Sequence, residues 1–135
     1  MNGTLRGAVP MLFLDRDICS RKLEDALSSA GIAFATHRDH FEKDTPDEAW
    51  IPQVGQCGWW VLTRDQRIRH RPNELAAVRA ASLHMFVLTS GNLSSAETAE
   101  LVCRAWPKMR AAAAETRPPA IWSVTRAGEV KLLKR

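Results

Sequence analysis

Short apolar runs separated by longer stretches of mixed polarity set the rhythm of this chain. Met11-Leu12-Phe13-Leu14, Ile32-Ala33-Phe34-Ala35, Trp59-Trp60-Val61-Leu62-Thr63 and Met85-Phe86-Val87-Leu88 are four or five residues long and do not alternate with polar residues. Runs of that length and uniform polarity form strands buried on both faces, as in a parallel sheet covered by helices. Ser20 opens a helix whose Leu23, Ala26, Leu27 and Ala30 share one face and whose stop is Gly31. With the runs on either side it makes a βαβ unit, for which a right-handed crossover is the default.

The stretch 45–65 carries the strongest local signals. Thr45 is the predicted helix cap, Pro46 suits the first helical position, and Glu48 completes a capping box with Thr45. Gly55 and Gly58 end that helix before the run 59–63. Further on, Asn73 is the predicted cap of a helix reaching about residue 82, with Leu75, Val78 and Ala81 inward. Ser94 or Ser95 caps the longest helix, to about residue 115, whose Ala99, Val102, Cys103, Trp106 and Met109 share a face and which Pro107 should bend or divide. Residues 121–125 and 129–133, joined through Ala127-Gly128, read as a terminal hairpin on the sheet edge. The fold class is α/β, with a mostly parallel central sheet flanked by helices.

Composition adds a size and a compartment. A chain of 135 residues is the length of one domain, 1–135. Cys19, Cys57 and Cys103 form no C-x-x-C pair, which points to a reduced compartment and to small core residues. Residues 1–9 read as a loose leader, too short in apolar run for a signal peptide or a membrane span, so a soluble cytoplasmic protein is expected. The net charge of +4 is unevenly spread: residues 1–60 hold six Lys/Arg against nine Asp/Glu, and residues 61–135 hold thirteen against six. Such a split suits a metal-binding edge beside a polyanion-binding surface, and equally suits uneven solvation.

The acids give the split a chemical reading. Asp15 follows the first strand, Asp65 follows the third, and Asp47 lies in the first turn of the helix between them. In a parallel α/β sheet the strands' carboxyl ends and the crossover helices' N-termini share one edge, the edge where ligands bind. Three carboxylates gathered there require a cation or bound protons, and all-oxygen ligation suits Mg²⁺ or Mn²⁺. Pattern alone leaves a second reading open, in which each aspartate is a helix or strand cap. Arg64, Arg67, Arg69 and Arg71, with His70, surround Asp65, either as a solvated loop or as a phosphate clamp. The polar segment 36–44 is expected to be a solvated loop, with His37 and His40 a weak metal signal. Of Trp50, Trp59, Trp60, Trp106 and Trp122, most belong in the core, although any at the surface offers a stacking face.

Phe13-Leu14-Asp15-Arg16-Asp17, the run Trp59 to Asp65 ending in Thr63-Arg64-Asp65, and Asp47 eighteen positions before Asp65 together resemble the PIN-domain family of metal-dependent ribonucleases. Within it, the chain is similar to the short PIN-like proteins related to VapC-type toxins, over residues 11–90. The resemblance implies a three-layer PIN-like fold and hydrolysis of RNA phosphodiester bonds with Mg²⁺ or Mn²⁺ as cofactor. Asp15, Asp47 and Asp65 would hold the metal with Asp17 assisting, and the four arginines would hold the RNA. It also implies a small antitoxin protein as partner, and a homodimer is compatible with it. The chain departs from the pattern in four places, one of them Pro52 inside the Asp47 helix. Asp17 stands where the family has a neutral polar residue, and Gln66-Arg67-Ile68 follows Asp65. The family's further helix-borne acid also has no clear equivalent among Asp39, Glu42, Asp44 and Glu48. The alternative is therefore a catalytically inactive PIN-like binding or regulatory module. A response-regulator-like doubly wound domain ranks lower, for want of a phospho-acceptor strand with a downstream lysine.

Overall fold

A computed structural model describes residues 10–135 of the protein, with the side chain of Arg69 outside that description. The expected leader at residues 1–9 likewise lies outside the described residues. In chain order the elements are β1 (Leu12–Leu14), α1 (Arg21–Ser29), β2 (Phe34–Thr36), α2 (His37–His40), α3 (Asp47–Gln56), β3 (Trp60–Thr63), a 3-10 helix (Gln66–His70), α4 (Pro72–Ala81), β4 (His84–Leu88), α5 (Ser95–Glu115), β5 (Ala120–Val124) and β6 (Val130–Lys134). They build one sheet in the order β2-β1-β3-β4-β5-β6. The first five strands are parallel and β6 pairs antiparallel with β5 as the expected hairpin. The chain steps outward from β1 to β2, then crosses back to β3 on the other side of β1. That reversal opens a crevice beyond the carboxyl ends of β1 and β3.

Alternation along the strands supplies two apolar layers. Leu12, Leu14, Leu62, Phe86 and Leu88 face α1 and α5, where Leu23, Leu27, Val102, Ala105, Trp106 and Met109 meet them. Phe13, Val61, Met85 and Val87 face the other way, onto Trp50, Ile51 and Val54 of α3 and Val78 of α4. The result is helix, sheet, helix, the three-layer α/β arrangement expected from the uniform polarity of the strand runs. Among the described residues, no helix is long and apolar enough to cross a membrane.

Several local expectations give way to tertiary context. Thr45 does not cap α3: its amide donates to the Glu42 carbonyl, and the extended Pro46 takes the cap position without a side-chain bond, leaving Asp47 as the first helical residue. Pro72, with its fixed φ and missing N–H, takes the first position of α4, so the cap is Arg71 rather than Asn73. Ser94 caps α5 in a full capping box with Glu97, and the helix runs unbroken through Pro107. That proline is exposed, while Val102, Ala105 and Trp106 before it and Met109 and Ala113 after it are packed on the core.

The segment 36–44 is not a solvated loop throughout. It begins with α2, and His37 is only 1% exposed, enclosed by the rings of Phe13, Phe41 and Trp50. Burial and the nearby Arg16 charge push its pKa down, so it packs as a neutral aromatic. Cys57 is exposed rather than in the core, because it caps the end of α3 at the surface. Trp50, Trp106 and Trp122 are buried, and Trp59 and Trp60 are half-buried.

Candidate active site

Asp15 is the next residue after β1, and its amide continues the sheet by donating to the Leu62 carbonyl at 3.0 Å. Only 5% exposed, it is the most deeply set acid of the crevice. Its Oδ1 accepts from the Arg16 amide at 2.7 Å and its Oδ2 from the Thr63 hydroxyl at 2.8 Å. The same hydroxyl accepts from the Asp65 amide at 3.1 Å, so Thr63 ties the ends of β1 and β3 together and fixes the turn that carries Asp65. Burial pushes the Asp15 pKa up to about 7, and the neighbouring Asp17 and Asp47 charges push the same way against the Thr63 and Arg16 hydrogen bonds. Asp17, on the rim, is also raised, first by desolvation and then by Asp65 and Asp47, with Arg64 opposing.

Asp47 reaches the crevice from the first turn of α3, where Trp50 Nε1 donates to its Oδ1 at 3.0 Å. Asp65 caps the 3-10 helix by accepting from the Arg67 amide at 3.1 Å, and its Oδ2 accepts from Arg71 Nη1 at 3.0 Å. A capping role and a place in the acidic cluster thus coexist in one side chain. The four aspartates line a single cavity of about 580 Å³ with Arg16, Arg64, Arg67, Arg71 and Gln66. Among the described residues lining it there is no tryptophan, so the expected stacking faces are elsewhere.

Two residues of this neighbourhood carry no signal that sequence reasoning used. Arg16, between the two aspartates of the first motif, lines the cavity. Glu74, in the first turn of α4, binds Arg71 Nη1 with both oxygens at 3.2 and 3.3 Å, and its carboxyl is raised by burial and by Asp47. Asp39, Glu42, Asp44 and Glu48, the candidates for a further acid, are all exposed and none lines the cavity. Glu74's place three residues after Arg71, just inside a proline-started helix, is the signal that could have found it.

The donor set is all carboxylate oxygen, which suits a hard divalent cation. In the arrangement seen, however, no group of three His, Cys, Asp or Glu side chains among the described residues converges closely enough to hold an ion. The guanidinium of Arg71 stands between Asp65 and Asp47 instead, 4.0 Å from Asp47 Oδ2. The residues fit such an ion in chemistry but not in the spacing seen.

A family profile described as PIN like domain matches residues 10–90. The chain belongs to the PIN-like domain family. The matched span contains β1 to β4, all four cavity aspartates and Arg64, Arg67, Arg69 and Arg71. A curated relative, "Putative ribonuclease VapC45" of Mycobacterium tuberculosis, is 24% identical over 92 residues, covering 65% of this chain and 67% of the relative. No solved structure matches the chain. The PIN-like match covers the acidic crevice and leaves the end of the chain, with α5 and the β5–β6 hairpin, outside it.

Proposed function

We propose that this PIN-like protein is a Mg²⁺- or Mn²⁺-dependent ribonuclease that hydrolyses RNA phosphodiester bonds, acting as the toxin of a toxin–antitoxin pair. The observation that carries the reading is the meeting of Asp15, Asp17, Asp47 and Asp65 in one cavity between β1 and β3, with arginines on its rim. Family membership and the relative's ribonuclease name support it. Asp15, Asp47 and Asp65 hold the ion and Asp17 assists from the rim. When bound, the ion supplies Lewis-acid polarisation of the phosphoryl group and an activated water for in-line attack.

The protein's own groups do the positioning. Thr63 and the Arg16 amide keep the Asp15 carboxylate in one orientation, and Trp50 does the same for Asp47. Arg64 and Arg67 hold RNA phosphates beside the acids, with Arg69 and Arg71 of the same segment contributing. The whole chain acts as one domain in the cytoplasm, opposed by a small antitoxin that covers the acidic edge.

A second reading, a PIN-like module that binds without cleaving, is favoured by the Arg71 guanidinium lying where the acids would need to converge. Incubation of the purified protein with RNA and Mn²⁺, with and without a chelator, separates the two. Cleavage that the chelator stops supports the enzyme, and RNA left whole at every metal concentration supports the module.

A further inference from the structure

One guanidinium serves three carboxyl groups in this site. Arg71 Nη1 lies 3.0 Å from Asp65 Oδ2, 3.2 Å from Glu74 Oε1 and 4.0 Å from Asp47 Oδ2. The side chain is 35% exposed, so it has room to leave. Arg67 is different: it is 78% exposed, and among the described residues its guanidinium pairs with the other oxygen of Asp65. Resting on the metal-dependent reading above, we propose that Arg71 is a built-in counter-ion that a divalent cation must displace from Asp65 and Asp47, and that the freed guanidinium then turns to an RNA phosphate.

The physical reason is competition for the same oxygens. A divalent ion bound by Asp65 and Asp47 sits within a few ångströms of the present Nη1 position, and two cations that close repel strongly inside a partly desolvated pocket. Arg71 therefore lowers the apparent metal affinity while it keeps the metal-free acids from repelling one another. Glu74 gives the guanidinium an anchor in either state, because it sits on α4 within one turn of Arg71. Since metal entry releases an RNA-binding group, metal and RNA strengthen each other's binding by the same factor.

Titration calorimetry of Mn²⁺ into the RNA-free full chain tests this without any activity readout. Arg71→Gln should bind Mn²⁺ at least about tenfold more tightly than wild type, since a unit charge about 4 Å from a divalent ion already costs that much at the dielectric of water and costs more in a partly desolvated pocket. Arg64→Gln removes a charge from the same cavity but, among the described contacts, no ion pair with Asp65 or Asp47, and should raise the affinity clearly less than Arg71→Gln does. Equal or weaker binding by Arg71→Gln, or an equal gain from Arg64→Gln, overturns the counter-ion role while leaving the metal-dependent reading intact. Absence of Mn²⁺ binding by wild type and Arg71→Gln alike would instead sink the reading on which it rests. Should Arg71→Gln fail to fold, Arg71→Lys and Arg71→Met replace it. Arg71→Lys keeps the charge, so its affinity should stay within about threefold of wild type, and Arg71→Met, which removes the charge and keeps most of the side-chain length, should show the gain expected of Arg71→Gln; an unchanged affinity in Arg71→Met contradicts the proposal.

Discussion

The Thr63 hydroxyl donates to Asp15 Oδ2 at 2.8 Å across 48 positions of sequence, joining the carboxyl ends of β1 and β3 at the floor of the acidic crevice. Because it also accepts from the Asp65 amide, one buried oxygen orients two of the three proposed metal ligands. Thr63→Val keeps the side-chain volume and removes both bonds. It should cost about 1–3 kcal/mol in chemical denaturation, the penalty for leaving buried polar groups unpaired. Thr63→Ser should retain the hydroxyl geometry and most of the stability, so equal losses in the two variants would count against the linking role.

The raised pKa of Asp15 makes stability depend on pH in a defined direction. Its folded-state value of about 7 lies above its ordinary 3.8, so between those limits the folded protein holds a proton that the unfolded chain has lost. Stability therefore falls as pH rises through that window, by roughly 4 kcal/mol at most for a shift of about three units. Asp15→Asn cannot ionise, keeps an oxygen for the Arg16 amide, and can donate to the Thr63 hydroxyl. In metal-free thermal melts the variant's advantage over wild type should grow from pH 5 to pH 8. Parallel curves would mean that Asp15 ionises without strain.

Bound metal should reverse that cost. Because the ion prefers the ionised carboxylate, Mn²⁺ binding near pH 7 should release protons and strengthen as pH rises from 6 to 8. Calorimetry in buffers of different ionisation enthalpy measures the released protons, and metal binding without proton release would contradict the place of Asp15 among the ligands.

Much of the architecture was legible because it rests on local polarity. The uniform runs around Leu12, Val61 and Phe86 specified buried parallel strands, and Asp15 and Asp65 could be put at their carboxyl ends from that alone. Asp47 followed from the N-terminal position of its helix, even though the expected Thr45 cap did not form. What stayed hidden depends on distant packing. His37 is polar in sequence but fills a space between Phe13, Phe41 and Trp50, which no periodicity reveals. Arg71 looked like one of four equivalent arginines; Glu74 is its neighbour within one helical turn, but only the approach of α4 to α3 gives it Asp47 as a partner.

That approach has its own sequence device. A Cβ built on Gly55 of α3 would stand 2.6 Å from the Ala81 Cβ and 2.8 Å from the Ala81 carbonyl oxygen of α4. Gly55→Ala should therefore destabilise the protein by about 1–3 kcal/mol through overpacking, despite a helix-propensity gain of about 1 kcal/mol. It should also move Asp47 away from Glu74. Because the clash involves backbone as well as side chain, Ala81→Gly should rescue it only in part. A stability equal to or above wild type in Gly55→Ala would show that the two helices have slack.

The rim arginines should show themselves through salt. Replacing Arg64 and Arg67 together with Gln should weaken RNA binding and lower the slope of log affinity against log salt by about 1.4, the release expected for two phosphate contacts on a single strand. Filter binding across a salt series checks this, and an unchanged slope returns both residues to ordinary surface.

The account stands most directly on the acids themselves. Purified wild-type protein and its Asp15→Asn, Asp47→Asn and Asp65→Asn variants, each shown to be folded by its melting curve, should be compared for Mn²⁺-dependent cleavage of the same RNA. Cleavage by wild type and a loss of at least about a hundredfold in every variant is the expected result, as for removal of charge that acts on the reacting phosphate. Cleavage retained by all three folded variants would contradict the assignment of this crevice as the site of the chemistry.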